Sequence, residues 1–377
     1  MDLELTEEQN ILKASARNFL KKECPPSLVK EMKDDEKGYP QELWHKMIEL
    51  GWLGVMVPEN YGGIGGNFLD LSILLEAMGE VCCPGPFFST VVLGGPGILS
   101  AGSEEQKQML LPELAGGDLV LAMAVTEPGA WYEASGIKTC ATSDGDDYLI
   151  EGTKLFVENA HIADYILCAA RTDEGEKSEQ GISLFLVDGK SPGVTCTLLK
   201  TLAYDKQCEV VFDKVRVPGK NMLGQRGEAL DLLEGLQEKA AVAKCAEMVG
   251  VLQAAFDMTV SYAKEREQFG RPIGSFQAVQ HHCANMVADV EGARFITYQA
   301  AWRISQGLQA GMEAAMAKAW TSEASRKVTF LGHQIHGAVS FCEEHDMHLY
   351  YRKAKAGEVA FGDGGFHLEK VARHLGL

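Results

Sequence analysis

The hydrophobic period changes twice along this chain, and that double change restricts its architecture more than any single motif. Thr6-Glu7-Glu8-Gln9 has the Ser/Thr-x-x-Glu/Gln spacing of a capping box, and Ile11, Leu12, Ala16, Phe19 and Leu20 follow on one face at helical spacing. Ser103-Glu104-Glu105-Gln106 repeats the signal, and the apolar stretches around Leu43 to Leu50 and Leu69 to Met78 are also helical in type. From about Leu119 the runs shorten into strands: "LVLAMAV", "DYLIEG", "KLFV", "ADYILCAA", "GISLFLV" and "CEVVFDKVRV", with the Asp-Gly of "SDGDDY" predicting a tight hairpin. After Gly224 the helical period returns over 226–264, 276–307, 310–338 and 344–359. This order predicts an α+β protein with a helical domain over 1–115, a β domain over 116–225 and a helical bundle over 226–377.

A chain of 377 residues has enough length to bury a large core, and its 46% apolar and 23% charged residues are ordinary for a globular protein. The formal charge of -18 argues against broad binding to nucleic acid or anionic membranes, both of which need basic patches. The acidic start and the lack of a long apolar run predict a cytoplasmic protein. Ten scattered cysteines without a Cys-x-x-Cys predict packed, reduced thiols. The polar stretch from Gly175 to Gln180 predicts an exposed loop.

Several motifs invite chemistry that their context does not support. "NYGGIGGN" at 60–67 does not complete a dinucleotide fingerprint and follows no β-α-β unit, so it reads as a turn between helices. His333, His336, His345 and His348 have spacing compatible with a metal, but helix-surface polarity explains them as well, and no metal is expected. No nucleophile elbow and no Walker A loop occurs.

Five segments carry more information: "VPENYGGIGG", "AVTEPGA", "GIKTCA", "REQFGRPIGSFQAVQHHCANM" and "QIHGAVSFCEEHDMHLYYRKAK". In order and spacing they resemble the acyl-CoA dehydrogenase flavoproteins over nearly the whole chain. The resemblance implies an N-terminal helical domain, a central β-barrel and a C-terminal four-helix bundle. It also implies FAD as cofactor, an acyl-CoA substrate and an electron-transfer flavoprotein as electron acceptor. In such chemistry a carboxylate removes a proton from the α carbon while the flavin accepts hydride from the β carbon. The flavin of this family lies at a subunit interface, its ring in one subunit and its ADP end held by the neighbour.

Carried over residue by residue, the resemblance gives an uneven site. The positions serving a neighbour's flavin match: Arg266 for the pyrophosphate, Phe269 for packing, Gln277 and Gln334 for hydrogen bonds, and Gly337 for close backbone approach. An arginine fork suits a diphosphate because it can bind two oxygens at once. On the side holding the chain's own flavin ring, Val125 and Thr126 remain, and Phe156, standing where the family has tryptophan, is the third expected contact. Trp131-Tyr132-Glu133 replaces the family's Gly-Ser-Asp, Glu158 replaces a threonine, and Ala241 stands where arginine meets substrate.

The glutamate base of the family aligns with Phe361 in "AFGDGG", and the alternative base position of some relatives falls near Ala240. Phenylalanine cannot accept a proton. Asp363, Glu358 and Glu158 remain as candidate displaced bases. Three readings follow: a non-catalytic subunit paired with a paralogous acyl-CoA dehydrogenase subunit, a self-sufficient enzyme for a cyclic or unsaturated acyl-CoA, and an acyl-CoA-binding scaffold without dehydrogenation.

Overall fold

A computed structural model describes residues 4–129, 132–133, 136–173 and 180–377. Trp131 and residues 175–179 of the loop expected from Gly175 to Gln180 lie outside the described residues. The helices are α1 (Glu7–Glu23), α2 (Pro26–Glu31), α3 (Gln41–Glu49), α4 (Phe68–Glu80), α5 (Gly95–Ala101), α6 (Glu104–Gly116), α7 (Leu230–Glu265), α8 (Gln277–Ser305), α9 (Gly311–His336), α10 (Met347–Val359) and α11 (Gly364–His374). The strands are β1 (Leu121–Ala124), β2 (Cys140–Asp144), β3 (Asp147–Glu158), β4 (Tyr165–Arg171), β5 (Ile182–Asp188), β6 (Val194–Leu198), β7 (Gln207–Pro218), β8 (Met222–Leu223), β9 (Glu267–Gln268) and β10 (Arg271–Pro272). No helix among the described residues is long and apolar enough to cross a membrane.

The chain forms two compact units, one of residues 1–30, 67–83 and 238–377, the other of 31–66 and 84–237. In the first, both halves of the Thr6/Gln9 capping box are made, fixing the start of α1. An Asn67/Asp70 box starts α4 in the same way. Glycines let α4 and α7 touch backbone to backbone. A Cβ added at Gly79 would lie 1.9 Å from the Glu247 carbonyl oxygen, and one at Gly250 would lie 1.9 Å from that of Glu76. Val249, Leu252, Met286, Val290, Val328 and Met347 from α7, α8, α9 and α10 form the core of this unit.

In the second unit β1–β8 form one sheet in the order β6-β7-β3-β2-β4-β5-β8, with β1 beside β4. The "SDGDDY" hairpin pairs Asp144 with Asp147 across Gly145 and Asp146. β4 and β5 are buried on both faces, which explains their continuous apolar sequences. Ile166, Cys168 and Phe185 enter one cluster with residues of β3 and β7. Leu167, Ala169 and Leu184 alternate into another, which takes Leu110, Leu111 and Leu114 from α6. The "NYGGIGGN" turn is a close approach: a Cβ at Gly63 would lie 2.0 Å from the Val57 carbonyl oxygen.

Candidate active site

Residue 361 sits in a turn whose carbonyls are held by buried basic side chains. Between α10 and α11, Phe361 takes a left-handed φ of 56°, and its carbonyl oxygen accepts from His367 Nε2 at 2.9 Å. From α9, Lys318 Nζ donates to the carbonyls of Glu358 at 2.9 Å and Gly362 at 2.8 Å, and to Ser322 Oγ at 3.2 Å. Lys318 is fully buried, and burial lowers its ammonium to about 8. His367 is pushed down to about 4, again by burial. The turn can therefore display residue 361 in one pose, yet the side chain there is a phenyl ring.

Two of the candidate displaced bases have structural work. Asp363 is the N-cap of α11, its Oδ1 accepting from the Phe366 amide at 2.8 Å. Glu358 pairs with Lys355 at 2.6 Å. The third, Glu158, is half-buried at the end of β3, opposite Gln207. Ala240 and Ala241 are buried in α7 and carry no functional group.

Val125, Thr126 and Phe156 are brought together within the β unit by a buried ion pair. Lys154 Nζ donates to Glu127 at 2.7 Å and to the Val125 carbonyl at 3.1 Å. Glu127 also accepts from the Lys138 and Thr139 amides at 2.7 and 2.9 Å. Burial alone would raise the Glu127 carboxyl, but Lys154 and the Thr139 hydrogen bonds outweigh it and leave it lowered. The Leu155 amide donates to the Thr126 carbonyl at 2.8 Å. The ladder to β7 then skips from Lys154 to Val157, a bulge that sets Phe156 at φ 57° with 57% of its surface exposed. Tyr132 is tied through its carbonyl to Gln237 Nε2 at 3.3 Å.

The positions expected to serve a neighbour's flavin form a second cluster, in the helical unit. β9 and β10 make a hairpin closed by Phe269 and Gly270, both at positive φ (55° and 79°). Two such residues define a type I′ turn. Phe269 is thereby held 94% exposed, its ring edge-on to Phe276 at 6.0 Å. Arg266, just before the hairpin, is exposed. Gln277, at the start of α8, and Gln334, on α9, are also exposed. Tyr262 joins the two halves: its carbonyl accepts from the Arg266 amide, and its ring stacks on His336, between Gln334 and Gly337, at 4.4 Å.

The four histidines are engaged separately. His333 and His336 bond through Nδ1 to Ser340 Oγ and the Gly332 carbonyl, His345 Nδ1 accepts the Met347 amide, and His348 Nε2 meets the Glu343 carbonyl. No group of three or more His, Cys, Asp or Glu side chains among the described residues is arranged to hold a metal.

Tyr262, Glu127, Lys154, Lys318 and His367 all escaped the sequence reading. Lys318 left a signal, since it falls in the buried α9 stripe of Ala314, Ala317, Thr321 and Ala324. Glu127 and Lys154 are distant in sequence, and only the fold makes them partners.

Helices before and after a β domain in chain order, with a turn held by buried Lys318 and His367 before the last helix, agree with the class of protein that comparison with known proteins identifies. The N-terminal, middle and C-terminal domain models of acyl-CoA dehydrogenase match residues 6–118, 122–215 and 234–376. The chain is 34% identical to a probable acyl-CoA dehydrogenase, YngJ, of Bacillus subtilis, with 100% of each covered. Butyryl-CoA dehydrogenase of Megasphaera elsdenii superposes with a TM-score of 0.93 at 30% identity over 100% of both chains. A chain of the ChsE4-ChsE5 complex of Mycobacterium tuberculosis superposes with a TM-score of 0.91 at 31% identity, covering 100% of this chain and 99% of that one. The protein belongs to the acyl-CoA dehydrogenase family, whose members are FAD-dependent oxidoreductases. The exposed Arg266, Gln277 and Gln334 and the open backbone at Gly337 offer a cation, amides and close approach, donor chemistry compatible with a diphosphate-bearing cofactor.

Proposed function

We propose that this chain is the non-catalytic subunit of a heteromeric acyl-CoA dehydrogenase, completing the flavin site of a glutamate-bearing paralogous subunit. The observation that carries the proposal is Phe361. It fills the base position of a turn that is otherwise fully built, while Asp363 and Glu358 beside it serve as a helix cap and an ion-pair partner. Arg266 would take the pyrophosphate of the partner's FAD, Phe269 would pack on it, and Gln277, Gln334 and Gly337 would line its path. FAD supplies the hydride acceptor for the acyl-CoA substrate. An electron-transfer flavoprotein is the electron acceptor the family suggests. ChsE4-ChsE5, a structural neighbour, was crystallised as a two-component complex, the kind of pairing proposed for this chain.

One observation favours the second reading, a self-sufficient enzyme for a cyclic or unsaturated acyl-CoA. The Val125-Thr126 segment and the Phe156 bulge retain a ring-side surface of their own. Flavin absorbance per chain, measured with solution mass, separates the two. Little flavin in the chain expressed alone, and one FAD for each pair after co-expression with a glutamate-bearing relative, is the expected result. A homo-oligomer with FAD in every chain that oxidises acyl-CoA overturns it. In that event Asp363→Asn, Glu358→Gln and Glu158→Gln identify the base by loss of turnover.

A further inference from the structure

Gly337 is held in a glycine-only backbone pose by a closed hydrogen-bond circuit rather than by packing. Its φ of 70° and ψ of -152° lie where a side chain is strongly disfavoured. A Cβ built there would have nothing within 4 Å, so the surrounding structure does not demand glycine for space. His333 Nδ1 lies 2.7 Å from Ser340 Oγ, and Ser340 Oγ donates to the Gly337 carbonyl at 2.7 Å. A hydroxyl has one proton. Ser340 uses it on Gly337 and therefore accepts from His333, which fixes the Nδ1–H tautomer and leaves Nε2 bare. That Nε2 is buried without a partner, and burial first, then the neighbouring histidines, disfavours its protonation.

The circuit closes because the Gly337 amide donates to the His333 carbonyl. Both polar groups of Gly337 are thus tied to one pair of residues, the amide to the His333 backbone carbonyl and the carbonyl to the Ser340 hydroxyl. The pair is itself immobilised: Ser340 is fully buried, and the His333 ring stacks on Phe341 at 4.5 Å and meets the edge of Tyr351 at 5.2 Å. A strained, exposed glycine fixed from behind and open in front prepares a surface for a ligand that approaches the backbone closely.

We propose that His333 and Ser340 are positioning residues that hold the Gly337 backbone against the adenosine-diphosphate end of a neighbouring subunit's FAD. The inference rests on the neighbour-serving role proposed for Arg266 and names the device behind it. Neither residue touches the ligand. Each acts through the orientation of the Gly337 peptide.

The test uses the full chain and its flavin-loaded assembly, with amide hydrogen exchange and FAD retention as readouts. His333→Gln and Ser340→Ala break the circuit, whereas His333→Asn keeps an amide nitrogen where Nδ1 was. In the chain without FAD, the first two variants should raise exchange over 338–341 by about five-fold, the equivalent of one hydrogen bond. They should weaken FAD retention by a similar factor, and His333→Asn should restore both. The asparagine rescue keeps the proposal falsifiable if Ser340→Ala folds poorly. Unchanged retention in His333→Gln while Arg266→Ala releases FAD overturns the circuit's role and leaves the site reading standing. If Arg266→Ala also releases nothing, the neighbour-serving reading falls and the positioning role falls with it.

Discussion

Lys154 and Lys318 are both fully buried lysines, but of the two Lys154 forms a direct ion pair, with Glu127, whereas Lys318 bonds to carbonyls and a hydroxyl. The difference predicts opposite consequences for removing the ammonium. Lys154→Met strands the buried Glu127 charge and should cost about 3–5 kcal/mol. Lys318→Met strands no charge and relieves a costly buried one, so its net cost should be the smaller, about 1–3 kcal/mol for carbonyls left unsatisfied. Urea unfolding of the two variants checks the order, and a larger loss for Lys318→Met refutes this account. His367 adds a pH dependence. Its folded value of about 4 lies below the ordinary 6.5, so on acidification the unfolded chain takes up the proton first. The His367 contribution is complete above pH 6.5 and is lost as pH falls from 6.5 toward about 4, reaching about 3 kcal/mol. His367→Gln should flatten that part of the profile between pH 6.5 and 4.5. An unaltered slope in the variant would show that His367 titrates normally.

At the scale of elements, what could be read beforehand was what local sequence determines. The Thr6/Gln9 and Ser103/Gln106 boxes form as their spacing predicts because a cap uses atoms within one turn. The Phe156 bulge was invisible because it is a mismatch with β7, some fifty residues downstream. The β9–β10 turn was equally hidden, since Phe-Gly lacks the Asn-Gly or Asp-Gly signature of a type I′ turn. A phenylalanine in a left-handed conformation costs roughly 1–2 kcal/mol, and here the ring is exposed and gains little by burial. Phe269→Asn should therefore stabilise the chain by about 1 kcal/mol. The same change should weaken FAD retention in the assembly. Thermal unfolding together with retained absorbance reads both. Stabilisation without flavin loss would mean that the ring has no cofactor role. At the α4–α7 crossing, Gly79→Ala would press a methyl onto the Glu247 carbonyl and should destabilise by more than about 3 kcal/mol, the scale of a severe overpacking.

At the scale of the molecule, the family was legible because five segments align, and the same alignment sets Phe361 at the position expected for the base. The buried support beneath Phe361 was not, because Lys318 and His367 reach the turn from other helices. What separates a donor subunit from a complete enzyme is whether the chain holds a flavin ring of its own; the contact proposed for Arg266 is with a neighbour's flavin in either case, and it exists only in the assembly. Arg266→Ala in this chain alone, paired with an unaltered glutamate-bearing partner, tests it across the interface. Loss of a charge-assisted, bidentate contact should weaken FAD binding by about ten-fold or more. Turnover should fall in parallel and recover with added FAD, although in the proposed reading the altered chain supplies no base. Because Arg266 is exposed, the variant's own stability should stay within about 0.5 kcal/mol of the parent. The loss can then be assigned to the cofactor and not to the fold. Undiminished flavin and turnover in that mixed assembly would place Arg266 outside the partner's site and overturn the neighbour-serving reading.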